Sequence, residues 1–241
     1  MRPTVIFVPG AFIADAAWWW QKVTDLLAEK GIASVAVDYP SVGPAAPLGD
    51  LYADSEAVRK AVDAAEPGPV ILVGHSYGGM VITDAGTHPR VSHLVYMSAF
   101  VPDGTSAAGA EFMKPEDLAA FEIHEDGTAG EGGTKVPILR RLPDQSLVPQ
   151  ALERLALQSA VAAAQVPNHF AWKDKPSTFF VLTQDDDIAV ENQRKHATRT
   201  GSVVEIPTNH YAHLERPDLV AAALADIAAG LTPSEPVAGT A

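Results

Sequence analysis

One stretch constrains this chain more than any other: Val70-Ile71-Leu72-Val73-Gly74-His75-Ser76-Tyr77-Gly78-Gly79-Met80. Val70 to Val73 is an apolar, mostly β-branched run and reads as a buried strand. A G-x-S-x-G pentapeptide follows at once, and Met80 to Ala85 suits a helix. In a strand–turn–helix setting this pattern holds a serine on a strained turn at the end of a sheet, hydroxyl outward. Gly74 and Gly78 fall where the turn packs strand against helix, so a Cβ at either would collide. The N–H groups that open the helix aim at the place where negative charge would develop. The bare pentapeptide also occurs in ordinary loops, and it is the flanking strand and helix that set this one apart.

The rest of the chain repeats the strand–helix alternation. Thr4–Val8, Ile32–Val37, Leu94–Met97, Ser177–Leu182 and Ser202–Ile206 read as further strands. Helical spacing marks Trp18–Glu29, Asp50–Ala65, Val190–Thr200 and a last helix opened by Pro217 and ended by Gly230. The expected fold is α/β: a mainly parallel sheet of about six strands with helices on both faces. Residues 103–175 break the alternation. They read as a mostly helical insertion, with a glycine-rich mobile turn at Glu125–Gly133 and one long helix over Val148–Ala164. The expected organisation is a core of residues 1–102 and 176–230, a lid of 103–175 and a disordered tail of 231–241, the lid because insertions at strand ends commonly cover sites.

Composition narrows the chemistry. The 241 residues, 47% hydrophobic, suffice for one substantial core. There are no cysteines, which excludes disulfides, thiolate metal sites and a cysteine nucleophile. A net charge of −13 disfavours nucleic acid and anionic membranes as partners. No signal region opens the chain and no apolar run reaches membrane-spanning length, so the expectation is a cytoplasmic protein.

In sheets of this kind the ligand site lies at the carboxyl ends of the strands. Each residue that could carry chemistry falls there: Ser76, the Asp185-Asp186-Asp187 run, His210, and Gly10-Ala11 after the first strand. A serine hydroxyl needs a base, and a histidine oriented by a buried carboxylate is the usual one. Ser, then Asp, then His is the chain order found with this type of turn. Of eight histidines, His210 follows the final strand. His213, three residues on, is expected to pack nearby, and His75 to point away from the serine. The pair lacks the ligands of a zinc site. Spacing alone leaves all three aspartates open as the acid. The oxyanion donors are expected to be the N–H groups of Tyr77 and of Ala11, with Phe12 as second choice for the latter.

Phe7 to Phe12 with Trp18–Trp20, Gly74–Gly79, Ser98-Ala99-Phe100-Val101-Pro102 and Asn209–Pro217 together resemble the α/β-hydrolase superfamily. The branch they resemble holds methyl-salicylate-type esterases, hydroxynitrile lyases and bacterial relatives. The resemblance covers residues 4–230, supports His210 over His213, and points to Asp186 as the acid. One departure is Pro9-Gly10, where the family commonly has His-Gly. The lyases also need a lysine near the site. Lys173 and Lys175 precede a strand at its far end, which sets lyase chemistry below hydrolysis.

The implied activity is a cofactor-free, metal-free serine carboxylic-ester hydrolase. Its substrate would be a small, uncharged, moderately apolar ester or lactone, bound against Phe12, Phe100 and Trp172. The alternatives are a small-molecule binding protein on the same scaffold, or hydroxynitrile-lyase or C–C hydrolase chemistry on the same triad.

Overall fold

The computed structural model describes residues 1–104 and 121–231. Six parallel strands form the central sheet: β1 (Thr4–Val8), β2 (Ser34–Ala36), β4 (Val70–His75), β5 (Val91–Met97), β9 (Ser177–Leu182) and β10 (Ser202–Ile206), in the order β10-β9-β5-β4-β1-β2. Period-two alternation splits each inner strand between two cores. Val5, Phe7, Ile71, Val73, Phe180 and Leu182 face one layer. Ile6, Val8, Leu72, Phe179 and Val181 face the other. Helices α1 (Ala16–Glu29) and α9 (Pro217–Leu231) cover the first face; α2 (Leu51–Ala64) and α3 (Gly78–Ala85) cover the second. Both faces are therefore dry, as an all-parallel sheet requires.

The strand order has a consequence for the site. From β1 the chain steps outward to β2; from β4 it steps the other way to β5, β9 and β10. The reversal falls between β1 and β4, and the crevice that opens there is where such sheets bind ligands.

Residues 121–175 depart from the expectation of a mostly helical insertion. A four-stranded antiparallel sheet forms, in the order β3 (Val42–Gly43), β8 (Leu157–Ser159), β7 (Thr128–Gly130), β6 (Glu122–Ile123). The Glu125–Gly133 stretch contains a hairpin turning at Gly127, at φ 82°, where a side chain is disfavoured. The single helix expected over Val148–Ala164 is instead α5 (Leu147–Leu152), β8 and α6 (Ala160–Ala164), preceded by α4 (Lys135–Leu139). Helix propensity loses here to pairing. Leu157 and Gln158 lie opposite Gly43 and Val42, and Gln158 and Ser159 lie opposite Ala129 and Thr128. Because β3 belongs to the loop after β2, this sheet joins the segment to the core. Two smaller helices, α7 (Val190–Ala197) and α8 (Ala212–Glu215), follow β9 and β10.

Helix α9 runs through Gly230 to Leu231 rather than stopping at the glycine. The remainder of the expected tail, 232–241, and residues 105–120 of the expected lid lie outside the described residues.

Candidate active site

Five strand ends converge on one cavity mouth. Ser76 follows β4 and adopts φ 51°, a left-handed conformation that costs a non-glycine residue energy. Tight packing over-determines it. A Cβ on Gly74 would sit 2.6 Å from Gly78 O, so only glycine lets the strand and α3 meet this closely. The Ser76 carbonyl accepts from Gly79 N (3.0 Å) and Phe100 N (3.1 Å), which pins the turn from both sides. The Ser76 hydroxyl has no hydrogen-bond partner among the described residues and lines the cavity.

His210 follows β10 and is 1% exposed. Its Nδ1–H donates to Asp185 Oδ2 at 2.8 Å. The nominated Asp186 is not the partner: its side chain is 59% exposed and pairs with Arg141. The turn after β9 explains the choice. Asp185 Oδ1 accepts from Asp187 N (2.8 Å) and Ile188 N (2.9 Å), closing a local turn that sends Asp186 outward. Asp185 Oδ2 also accepts from Ser98 Oγ (2.6 Å) and Gln193 Nε2 (3.1 Å). A carboxylate with five donors is fully satisfied in its charged form. With Nδ1 committed as donor, Nε2 is left as the basic nitrogen of His210. Ser76, His210, Gly10, Ala11 and Lys135 line one small pocket between them.

The other two histidines near the site are structural in their contacts. His75 turns its Nε2 to His210 O at 2.9 Å, and burial, followed by His210 and His213, pushes its pKa well below the usual imidazole range. As a neutral ring it is a donor to that carbonyl. His213 stacks on Trp20, ring centroids 4.4 Å apart, and burial lowers its pKa to about 3.

On the facing side, the loop after β1 carries the oxyanion candidates. Phe12 N donates to Gln158 Oε1 at 2.9 Å and is thereby occupied. Ala11 N and Tyr77 N have no acceptor among the described residues. Phe12 itself takes φ 66° and is held on both sides by the segment carrying β8: Ala156 N donates to Phe12 O at 2.9 Å, and Ala14 N donates to Arg154 O at 2.9 Å. Gln158 Nε2 donates onward to Ser41 Oγ (3.3 Å), which donates to Asp54 Oδ2 (2.6 Å). Tyr77 OH donates to the same Asp54 oxygen at 2.7 Å. One buried carboxylate thus ties the elbow residue to the loop opposite. Burial raises the Asp54 pKa, against its hydrogen bonds from Ser41 and Tyr77. Pro9, in place of the family's usual histidine, has its carbonyl held by Tyr39 OH at 2.7 Å.

The cavity holds about 300 Å³ and is walled mainly by Ala11, Phe12, Met80, Phe100, Phe121, Ala163 and Ile188. Trp172, expected in this wall, is not among the lining residues. It lies in the turn leading to the amino end of β9, with its indole N–H bonded to Pro102 O at 2.9 Å. Among the described residues two charged side chains line the cavity, Lys135 and Asp187. Sequence reasoning considered Lys173 and Lys175 instead; Lys175 reaches the start of β5, donating to Val91 O at 2.9 Å. Nothing in the local pattern around Lys135 separates it from a surface lysine, since what buries it is tertiary. Among the described residues no group of three His, Asp or Glu side chains is arranged to hold a metal ion, and no helix is long and apolar enough to cross a membrane.

Comparison with known proteins agrees with the sheet order. Residues 5–223 match the model of the alpha/beta hydrolase family. An alpha/beta hydrolase, nvfD, of Aspergillus novofumigatus is 28% identical over 91% of this chain and 94% of its own. Methylesterase 8 of Arabidopsis thaliana is 25% identical over 80% of this chain and 76% of its own. The crystal structure of a pyrethroid hydrolase from Sphingobium faniae superposes with a TM-score of 0.80 at 23% identity, covering 95% of this chain and 98% of that one.

Proposed function

The chain belongs to the alpha/beta hydrolase family, and from that premise we propose that it hydrolyses small carboxylic esters through an acyl-enzyme on Ser76, His210 and Asp185. The observation that carries this reading is the buried Asp185–His210 bond beside a serine held at positive φ. His210 Nε2 takes the Ser76 proton as Oγ attacks the ester carbonyl. In this reading the carbonyl oxygen gains charge between Ala11 N and Tyr77 N, neither of which has an acceptor among the described residues. The tetrahedral intermediate collapses, and the imidazolium protonates the leaving alcohol. Water then repeats the cycle on the acyl-enzyme and releases the acid.

The wall composition supports a moderately apolar, uncharged ester or lactone, because Phe12, Phe100 and Phe121 offer no partner to a charged acyl group and the described charges, Lys135 and Asp187, are engaged with each other. In this reading the 103–175 segment is the lid. The test is hydrolysis of p-nitrophenyl butyrate: Ser76→Ala is expected to abolish it, and retained turnover would refute the mechanism. A second reading, cyanohydrin lysis on the same triad, gains from Lys135, a lysine inside the cavity. Release of an aldehyde and cyanide from mandelonitrile would favour it over ester hydrolysis.

A further inference from the structure

Among the described residues, Lys135 and Asp187 are the charges in the cavity that the triad does not use, and their side chains are 8% and 10% exposed. Lys135 opens α4 in the overlying segment; Asp187 stands on the turn after β9. Lys135 Nζ pairs with Asp187 Oδ2. The same oxygen lies 3.4 Å from His210 Nε2, the nitrogen that must receive the serine proton. One carboxylate oxygen is therefore shared between the lysine and the base.

Resting on the triad reading above, we infer that Lys135 is a positioning residue for His210: by pairing with Asp187 it holds that carboxylate's charge off Nε2 and keeps the nitrogen free to act as base. An unpaired carboxylate at this distance favours the imidazolium, whose Nε2 has no lone pair to accept the Ser76 proton. An ammonium on the same oxygen cancels most of that field. Burial alone would raise the Asp187 pKa, but Lys135 and His210 hold it below the usual carboxylate range, so Asp187 is ionised at neutral pH.

The other groups facing His210 leave this balance to Lys135. Asp185 and Ser98 engage the opposite edge of the ring, at Nδ1, at 2.8 and 3.4 Å. His75, from the end of β4, and His213, from α8, are kept neutral by burial. Tyr211 stays a neutral phenol, its pKa raised by burial and then by Asp187, Glu131 and Asp185. Glu131, from the loop before α4, accepts Lys135 N at 2.8 Å and so fixes the start of that helix.

The pH dependence of kcat/KM for p-nitrophenyl butyrate tests this, together with the rate of Ser76 labelling by a fluorophosphonate. In Lys135→Met the acidic limb moves up by about one pH unit, a roughly tenfold loss at a pH below the limb that recovers in alkali. In Asp187→Asn, where the ammonium remains alone, the limb moves down. In the double variant it returns to near the wild-type position although the lysine is absent, and Lys135→Arg keeps the wild-type limb. Equal loss at every pH in Lys135→Met, or shifts of the same sign in the two single variants, would overturn the inference while leaving the triad standing. Failure of the wild-type protein to label at Ser76 would overturn the triad itself, and the inference with it.

Discussion

The turn after β9 is pinned from inside the sheet layer, whereas the loop after β1 is pinned from outside it. Asp185 is held by Ser98 at the end of β5, by Gln193 on α7 and by the backbone of its own turn. Phe12, across the cavity, is held by Gln158 and Ala156, which come from 146 and 144 residues further along the chain. The base side therefore depends on neighbouring strand ends that the core cannot do without. The side proposed to bind the oxyanion depends on Gln158 of β8 reaching Ser41, and through it Asp54. A change on the first side removes a chemical group; a change on the second should leave every group present but loosely aimed.

The largest effect should come from the base side. Asp185→Asn keeps shape but presents the wrong hydrogen-bonding pattern to Nδ1, and kcat should fall by about 10³- to 10⁴-fold. On the oxyanion side, Gln158→Leu strands the buried Phe12 N. It should cost about 1–3 kcal/mol of stability, read by chemical denaturation, and about ten- to a hundredfold in kcat with KM less affected. A KM-dominated loss would mean that Gln158 shapes the pocket rather than the oxyanion loop.

The pair that ties the turn after β9 to the overlying segment, Lys135–Asp187, should show in acid. The Asp187 carboxyl is lowered in the folded state, so its stabilising contribution is present above the unfolded value of about 3.9 and is lost as pH falls through the lowered one. The Tm gap between the wild type and Asp187→Asn should accordingly narrow on going from pH 6 to strongly acidic solution. The smallest effect is the sharpest control: Asp186→Asn removes an exposed pair with Arg141, and activity should change less than about twofold.

The same contrast explains what could be read from the chain. β1, β4, β5, β9 and β10 are short runs rich in apolar and β-branched residues, and their ends nominate Ser76 and His210 without any tertiary information. Choosing among Asp185, Asp186 and Asp187 needed the turn geometry. The bonds from Asp187 N and Ile188 N to Asp185 Oδ1 decide which carboxylate faces inward, and three identical residues carry no periodic signal for that. Residues 148–164 look helical by composition, and only pairing with Val42–Gly43 and Thr128–Ala129 converts Leu157–Ser159 into a strand. Lys135, Gln158 and Asp54 were missed for the same reason. Each resembles a surface residue until the overlying segment packs on the sheet. Conversely, Phe12 and Phe100 do line the cavity, because they directly follow strand ends, while Trp172 precedes a strand and lies elsewhere.

The central claim is that Ser76 is the nucleophile and that Asp185, not its neighbour, arms its base. Intact-protein mass spectrometry after timed exposure to a fluorophosphonate measures this directly. The expected result is a single adduct, mapped to Ser76, absent in Ser76→Ala, formed at least a hundredfold more slowly in Asp185→Asn and at the wild-type rate in Asp186→Asn. An adduct at another residue, or slowing in Asp186→Asn with none in Asp185→Asn, would contradict it.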